Sequence, residues 1–188
     1  MEANQPHINQ LLNRCKKSDQ TAQMQLYKAY YKAMYNSAYR ILKDEFEAED
    51  IMQEAFLTAF TKLNSYKGEV AFGAWLKRIV INKSLTQLKK NNRYEEVKME
   101  VVQPDEKEDE KLDYHQLEPT AVMSSIQGLK DNYRMVLTLN LIEGYDYEEI
   151  AQIMNYSNEN VRTTVSRAKR KLKQVLLSNN PQIQAYGR

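Results

Sequence analysis

Arg162, Thr163, Ser166, Arg167, Lys169, Arg170 and Lys173 crowd into twelve residues near the C-terminal end of the chain. Interleaved with them, Val161, Val165, Ala168, Leu172 and Leu176 recur at three- and four-residue spacing, so one face of a helix is apolar and the rest is basic and hydroxylic. Guanidinium and ammonium groups grip phosphates, and guanidiniums and hydroxyls also reach base edges in the DNA major groove. A helix-turn-helix needs this division of faces. The companion helix is Tyr147-Glu148-Glu149-Ile150-Ala151-Gln152-Ile153-Met154, with Asp146 and Glu149 spaced as a capping box. Asn155-Tyr156-Ser157 forms the turn, and Ser157 caps a second helix beginning near Asn158. The competing reading is an ordinary amphipathic helix with a solvated basic face. The sharp segregation favours the helix-turn-helix.

Two further clusters lie in the first half. Asp50, Gln53, Glu54, Leu57 and Thr61 share a helix face distinct from the stripe Ala48, Ile51, Met52, Ala55, Ala59, Phe60 and Leu63. Leu57 stands in the middle of this polar row and Phe56 borders it. A solvated face accounts for such a row, and so does a docking surface, because apolar residues in an acidic rim resemble interface anatomy. Between Ala71 and Arg93 there are six basic residues (Lys77, Arg78, Lys83, Lys89, Lys90 and Arg93) and no acid. Aromatic rings among these charges suit single-stranded nucleic acid, whose bases stack while its backbone follows a positive groove. Trp75 reads as a core anchor, and Tyr66, on a loop of turn composition, as the better stacking residue.

The elements that must position these residues are helical. Five glycines and four prolines in 188 residues, with apolar residues at helical spacing in both halves, predict an all-α protein. A helix is expected over residues 21–42, with Leu26, Ala29, Tyr30, Ala33, Met34 and Ala38 as its apolar members. Asp44 and Glu47 are placed to cap the next one, and a basic helix runs from Phe72 to about Lys90. The net charge of +2 hides a segregation. Residues 94–118 hold ten acids against three lysines, a net −7, while the other 163 residues hold 24 bases against 15 acids, a net +9. A stretch of that composition buries too little apolar surface to offset its ordering entropy and reads as a linker, the alternative being a charged surface helix. The expected layout is an extension (1–20), a helical bundle (21–93), an acidic linker (94–119), a helix-turn-helix domain (120–177) and a tail (178–188).

Other functions lose support. One cysteine, Cys15, makes no intramolecular disulfide and is expected to be a semi-buried structural thiol. Two histidines, His7 and His115, offer no zinc ligand set, and there is no glycine-rich phosphate loop, so neither enzyme nor cofactor is expected. Residues 1–13 are polar, without the apolar core of a signal peptide, and no run is long enough to span a bilayer, so a cytoplasmic address is expected.

Four segments resemble, in order, the motifs of bacterial RNA polymerase sigma factors of the extracytoplasmic-function group. Ala48-Glu49-Asp50-Ile51-Met52-Gln53-Glu54-Ala55-Phe56 is similar to the polymerase-binding segment. Phe72-Gly73-Ala74-Trp75-Leu76-Lys77-Arg78-Ile79-Val80-Ile81-Asn82 is similar to the segment that handles the promoter −10 element, with Val80 in place of the usual alanine. Residues 143–151 and 161–172 resemble the two helices of the C-terminal helix-turn-helix, with Asp146 where serine is common.

The resemblance implies roles for the residues that match. Asp50, Gln53, Glu54 and Phe56 would dock on the coiled-coil helices of the second-largest polymerase subunit. Tyr66, Lys67, Lys77 and Asn82, with Arg78 and Lys83 nearby, would hold an unstacked base of the melted −10 strand. Arg162, Thr163, Ser166 and Arg167 would read the −35 duplex, while Lys169 and Arg170 touch phosphates or stay solvated. Core polymerase, promoter DNA and an anti-sigma factor are the partners implied, with no membrane insertion of the chain itself. The alternative function is a stand-alone helix-turn-helix regulator, which leaves the Asp50 face unexplained.

Overall fold

The computed structural model describes residues 5–91 and 118–179, and among these all regular structure is helical. Most of the expected acidic linker, Arg93 and the last nine residues lie outside them. The chain divides into two compact units, Met1–Asn91 and Asn92–Arg188.

The first unit is a bundle of α1 (Gln5–Cys15), α2 (Gln20–Leu42), α3 (Glu45–Thr61) and α4 (Phe72–Lys90), with a short 3₁₀ turn, Leu63–Ser65, after α3. Each boundary has a local cause. Asp19 caps α2 by accepting from the Ala22 N–H at 3.0 Å, and Lys43 ends it in the left-handed region at φ 60°. Asp44 then caps α3 through the Glu47 N–H, also at 3.0 Å. Ala48, Ile51, Met52, Ala55 and Ala59 are buried, as are Leu26, Met34, Ala38 and Ile41 of α2 and Leu76, Val80, Ile81, Leu85 and Leu88 of α4, and the three helices pack on one another. Each large aliphatic side chain buried here contributes about 1.5–3 kcal/mol.

Three details differ from the sequence reading. The bundle includes α1, taken above as an extension: Ile8, Leu11, Leu12 and Cys15 recur at helical spacing and are buried where α1 packs on α2. The Arg14 Nε–Asp19 Oδ2 pair, at 2.8 Å, spans the junction between the two helices. Ala29 and Ala33, expected in the core, face solvent, the seam of α2 running through Ala22, Leu26, Met34 and Ala38 instead. Cys15 is fully buried, and burial, with the Asp19 carboxylate second, pushes its thiol up, away from reactive thiolate.

The second unit contains α5 (Pro119–Gln127), α6 (Asp131–Leu137), α7 (Tyr147–Met154) and α8 (Asn158–Asn179). Pro119 occupies the first turn of α5, where its missing N–H costs nothing. α6 runs on into a π turn over Thr138–Ile142, closed by Glu143 N–H to Thr138 O at 2.9 Å. Gly144, at φ 80°, then turns the chain into α7. Ile126, Met135, Val136, Leu137, Leu139, Ile150, Met154 and the apolar face of α8 make the core. Arg134 is enclosed with them at 2% exposure and pairs with Asp131 at 3.0 Å. Burial draws its guanidinium pKa down, and the Asp131 carboxylate opposes that.

Candidate nucleic-acid and protein interfaces

The helix-turn-helix forms as its local signals predict. Asp146 Oδ1 accepts from the Glu149 N–H at 2.8 Å, and Glu149 Oε2 accepts from the Asp146 N–H at 3.0 Å, a complete capping box. Asn155 closes α7 at φ 58°, and Ser157 Oγ accepts from the Asn160 N–H at 3.2 Å to open α8. Val161, Val165, Ala168, Leu172 and Leu176 are all buried, which turns the other face outward. Arg162, Thr163, Ser166 and Arg170 are exposed there, with Arg167 and Lys169 half-buried along the rim. This is one continuous positively charged and hydroxylic helix surface, in the division of faces that major-groove binding requires.

In the first unit, burial of the α3 stripe turns Asp50, Gln53 and Glu54 to solvent. Phe56 does not join them. Three residues past Gln53 the helix has carried it about 60° round, and at 2% exposure it packs against Tyr27 of α2, ring centroids 4.8 Å apart. The apolar members of the outer row are Leu57, 68% exposed, and Phe46, 81% exposed. Phe46 was missed in the sequence, although its place four residues before Asp50 puts it on the same row. Four tyrosines of α2 recur every four residues, with Tyr27 on Tyr31 and Tyr35 on Tyr39 stacked in pairs. Burial and the neighbouring Glu45, Tyr39 and Glu49 push the Tyr35 hydroxyl pKa up.

Along α4, Arg78 and Asn82 are exposed one turn apart, following Trp75. Lys77 leaves the helix about 140° away from Asn82 and is half-buried, so it does not share that face. Lys83 turns toward α3 and meets Glu54 at 3.0 Å. The two residues assigned to separate surfaces thus border one cleft of about 330 Å³, lined by Ile51, Glu54, Asn82, Lys83, Thr86, Gln87 and Lys90. Lys67 is exposed on the loop before α4. Tyr66 is half-buried: its hydroxyl donates to Val70 O at 2.6 Å, and its ring lies 5.2 Å from Trp75 and 5.7 Å from Phe72. Trp75, expected in the core, is itself only half-buried and belongs to this aromatic cluster. Burial raises the pKa of Tyr66, and burial with Tyr66 beside it raises that of Tyr30.

Among the described residues no His, Cys, Asp and Glu side chains gather to hold a metal, and no helix is long and apolar enough to cross a membrane.

Known proteins share this architecture and these segments. The family model for sigma-70 region 2 matches residues 26–94, and that for sigma-70 region 4 matches residues 120–172. The RNA polymerase sigma-H factor of Pseudomonas aeruginosa is 30% identical over 184 residues, covering 92% of this chain and 95% of the relative. The ECF RNA polymerase sigma factor SigW of Bacillus subtilis is 29% identical over 185 residues, covering 90% and 96%. Among solved structures, the sigma factor RpoE of Bartonella quintana, in complex with the anti-sigma factor NepR, superposes with a TM-score of 0.55 at 23% identity, covering 81% of this chain and 95% of that one. CnrH, in complex with the cytosolic domain of CnrY, also gives 0.55, at 24% identity and coverage of 89% and 96%. Fold, motif order and relatives of matching length agree: this chain belongs to the sigma-70 family of RNA polymerase sigma factors, in its extracytoplasmic-function group.

Proposed function

We propose that this sigma factor docks on core RNA polymerase through the outer row of α3, captures the opened −10 strand on α4 and its preceding loop, and reads the −35 duplex with α8. The carrying observation is the exposure of Asp50, Gln53 and Glu54 above a buried Ala48, Ile51, Met52 and Ala55 stripe. A stand-alone helix-turn-helix regulator has no use for that surface. Phe46 and Leu57 supply the apolar contacts at either end of an acidic row, so the matching polymerase surface is basic with apolar recesses. Phe56 takes no direct part and supports the row from beneath.

On α4, Arg78 and Asn82 with Lys67 of the loop are best placed for the displaced strand. Lys83 follows once Glu54 engages polymerase, since an exposed pair of this kind is worth only about 0–1 kcal/mol. Holding an unstacked base costs a few kcal/mol of stacking, so this surface traps opening that polymerase binding promotes. Arg162, Thr163, Ser166 and Arg167 meet the −35 bases and phosphates, with Lys169 and Arg170 on phosphates. The chain performs no chemistry, works in the cytoplasm beside polymerase, and is held in reserve by an anti-sigma factor that covers these same faces.

The test is association of the purified chain with core polymerase. Asp50→Ala with Gln53→Ala should abolish the complex while leaving helical circular dichroism unchanged. Undiminished association would remove the docking assignment.

A further inference from the structure

We propose that Tyr30, on α2, is a positioning residue for the loop of residues 66–71, holding it through Phe72 and the absent side chain of Gly73 in the shape that receives the opened strand. This rests on the −10 reading above. Three contacts carry it. The Tyr30 ring meets the edge of Phe72, centroids 5.6 Å apart and planes at 69°. Phe72 in turn meets Tyr66 at 5.7 Å and Trp75 at 5.8 Å, and the Tyr66 hydroxyl closes the loop on Val70 O. A Cβ added at Gly73 would lie 2.8 Å from Cε1 of Tyr30, closer than side-chain carbons approach. Tyr30 therefore reaches this place only because residue 73 is glycine.

Physical reasoning gives the rest. Gly68, at φ 79°, supplies the turn but no side chain to pack, so the loop owes its shape to Tyr66. Tyr66 is fixed by two rings, and the deeper of them, buried Phe72, has Tyr30 against it. Edge-to-face pairs have a preferred geometry, so the row from Tyr30 to Tyr66 transmits position as well as burial. Tyr30 touches no DNA on this account and acts only through the cluster.

Trp75 is the single tryptophan of the chain and sits in the cluster, so its fluorescence reports the loop directly. The experiment compares full-length wild type, Tyr30→Ala, Tyr30→Phe, Gly73→Ala and the Tyr30→Ala/Gly73→Ala double variant. Acrylamide quenching of Trp75 is measured on the free chain. Permanganate reactivity is measured with core polymerase on the promoter fragment that wild-type holoenzyme selects from genomic DNA.

Tyr30→Ala should raise quenching and slow −10 opening about two- to tenfold, the scale of one lost aromatic pair, with core association unchanged. Tyr30→Phe keeps the ring and should behave as wild type. Gly73→Ala should reproduce part of the defect alone and add nothing in the double variant, because its Cβ then meets no ring. Unchanged quenching or opening in Tyr30→Ala overturns the inference, as does additivity in the double variant or an equal loss of core association. If wild-type holoenzyme opens no fragment, the −10 reading itself fails, and quenching still shows separately whether Tyr30 orders the loop.

Discussion

Phe46 and Leu57 keep 81% and 68% of their surface in water, on a helix that buries six other apolar residues tightly. Exposed residues of this size at the two ends of an acidic row are the anchors expected of a protein interface. Phe46→Ser should weaken core polymerase binding by about 1–4 kcal/mol, while its melting temperature barely moves, since truncating an exposed side chain disturbs no packing. Phe56→Ser is the contrasting variant. It removes a buried ring from beneath the same row and should lower the melting temperature first. Titration calorimetry against core polymerase, paired with thermal unfolding, separates the two; equal loss of binding in both without unfolding would return Phe56 to the interface. On α8, Arg162 is fully outward, and Arg162→Ala should cost about 1–3 kcal/mol of discrimination between the preferred −35 sequence and a scrambled one. An equal loss on both sequences would mark a phosphate contact.

Helix boundaries rest on a few polar caps, and these respond to simple changes. Asp146→Ala removes the reciprocal cap of α7 and should destabilise the second unit by about 0.5–2 kcal/mol, read as an earlier melt. Asp19 has a pH signature: the Ala22 N–H, and then Arg14, hold its carboxyl below the usual range. A lowered folded pKa means the contribution is complete above about pH 4 and is lost as pH falls through the depressed value. Asp19→Asn keeps a capping acceptor without titrating. The melting-temperature advantage of wild type should therefore shrink as pH drops from about 5 to about 2, and a constant difference would deny Asp19 this role. Such caps are also what made the helix-turn-helix readable from the sequence: Asp146, Asn155 and Ser157 mark their boundaries within a few residues. The α3 stripe was equally legible because its spacing is regular. Elsewhere the sequence is ambiguous. Ala29 and Ala33 are small enough to sit on either face, and Phe56 and Leu57 differ by a single residue yet point to core and solvent. The helical spacing of Ile8, Leu11, Leu12 and Cys15 in α1 was legible in principle, but it is confined to two turns of an otherwise polar segment. The Glu54–Lys83 pair and the approach of Tyr30 to Gly73 join residues far apart in the chain, which no local pattern encodes.

At the scale of the whole chain, charge is divided: −7 on residues 94–118 against +9 on the remainder. Acidic residues carried on the same chain as two basic faces are, by charge alone, competitors of DNA phosphates for the same cations, at an intramolecular effective concentration. This predicts that the isolated protein binds duplex promoter DNA weakly while binding core polymerase tightly, the reverse of what a stand-alone regulator would show. Converting Asp105, Glu106, Glu108, Asp109 and Glu110 to their amides removes five negative charges without touching either face. Affinity for a duplex of arbitrary sequence should then rise about tenfold at low salt, with a steeper fall as salt increases. The two proteins should converge once screening shortens the reach of the acids to a few ångströms. Fluorescence anisotropy across a salt series measures both effects. Identical curves at low salt would mean that the acidic segment never competes for the basic faces, and weak duplex binding would then have to come from the faces themselves.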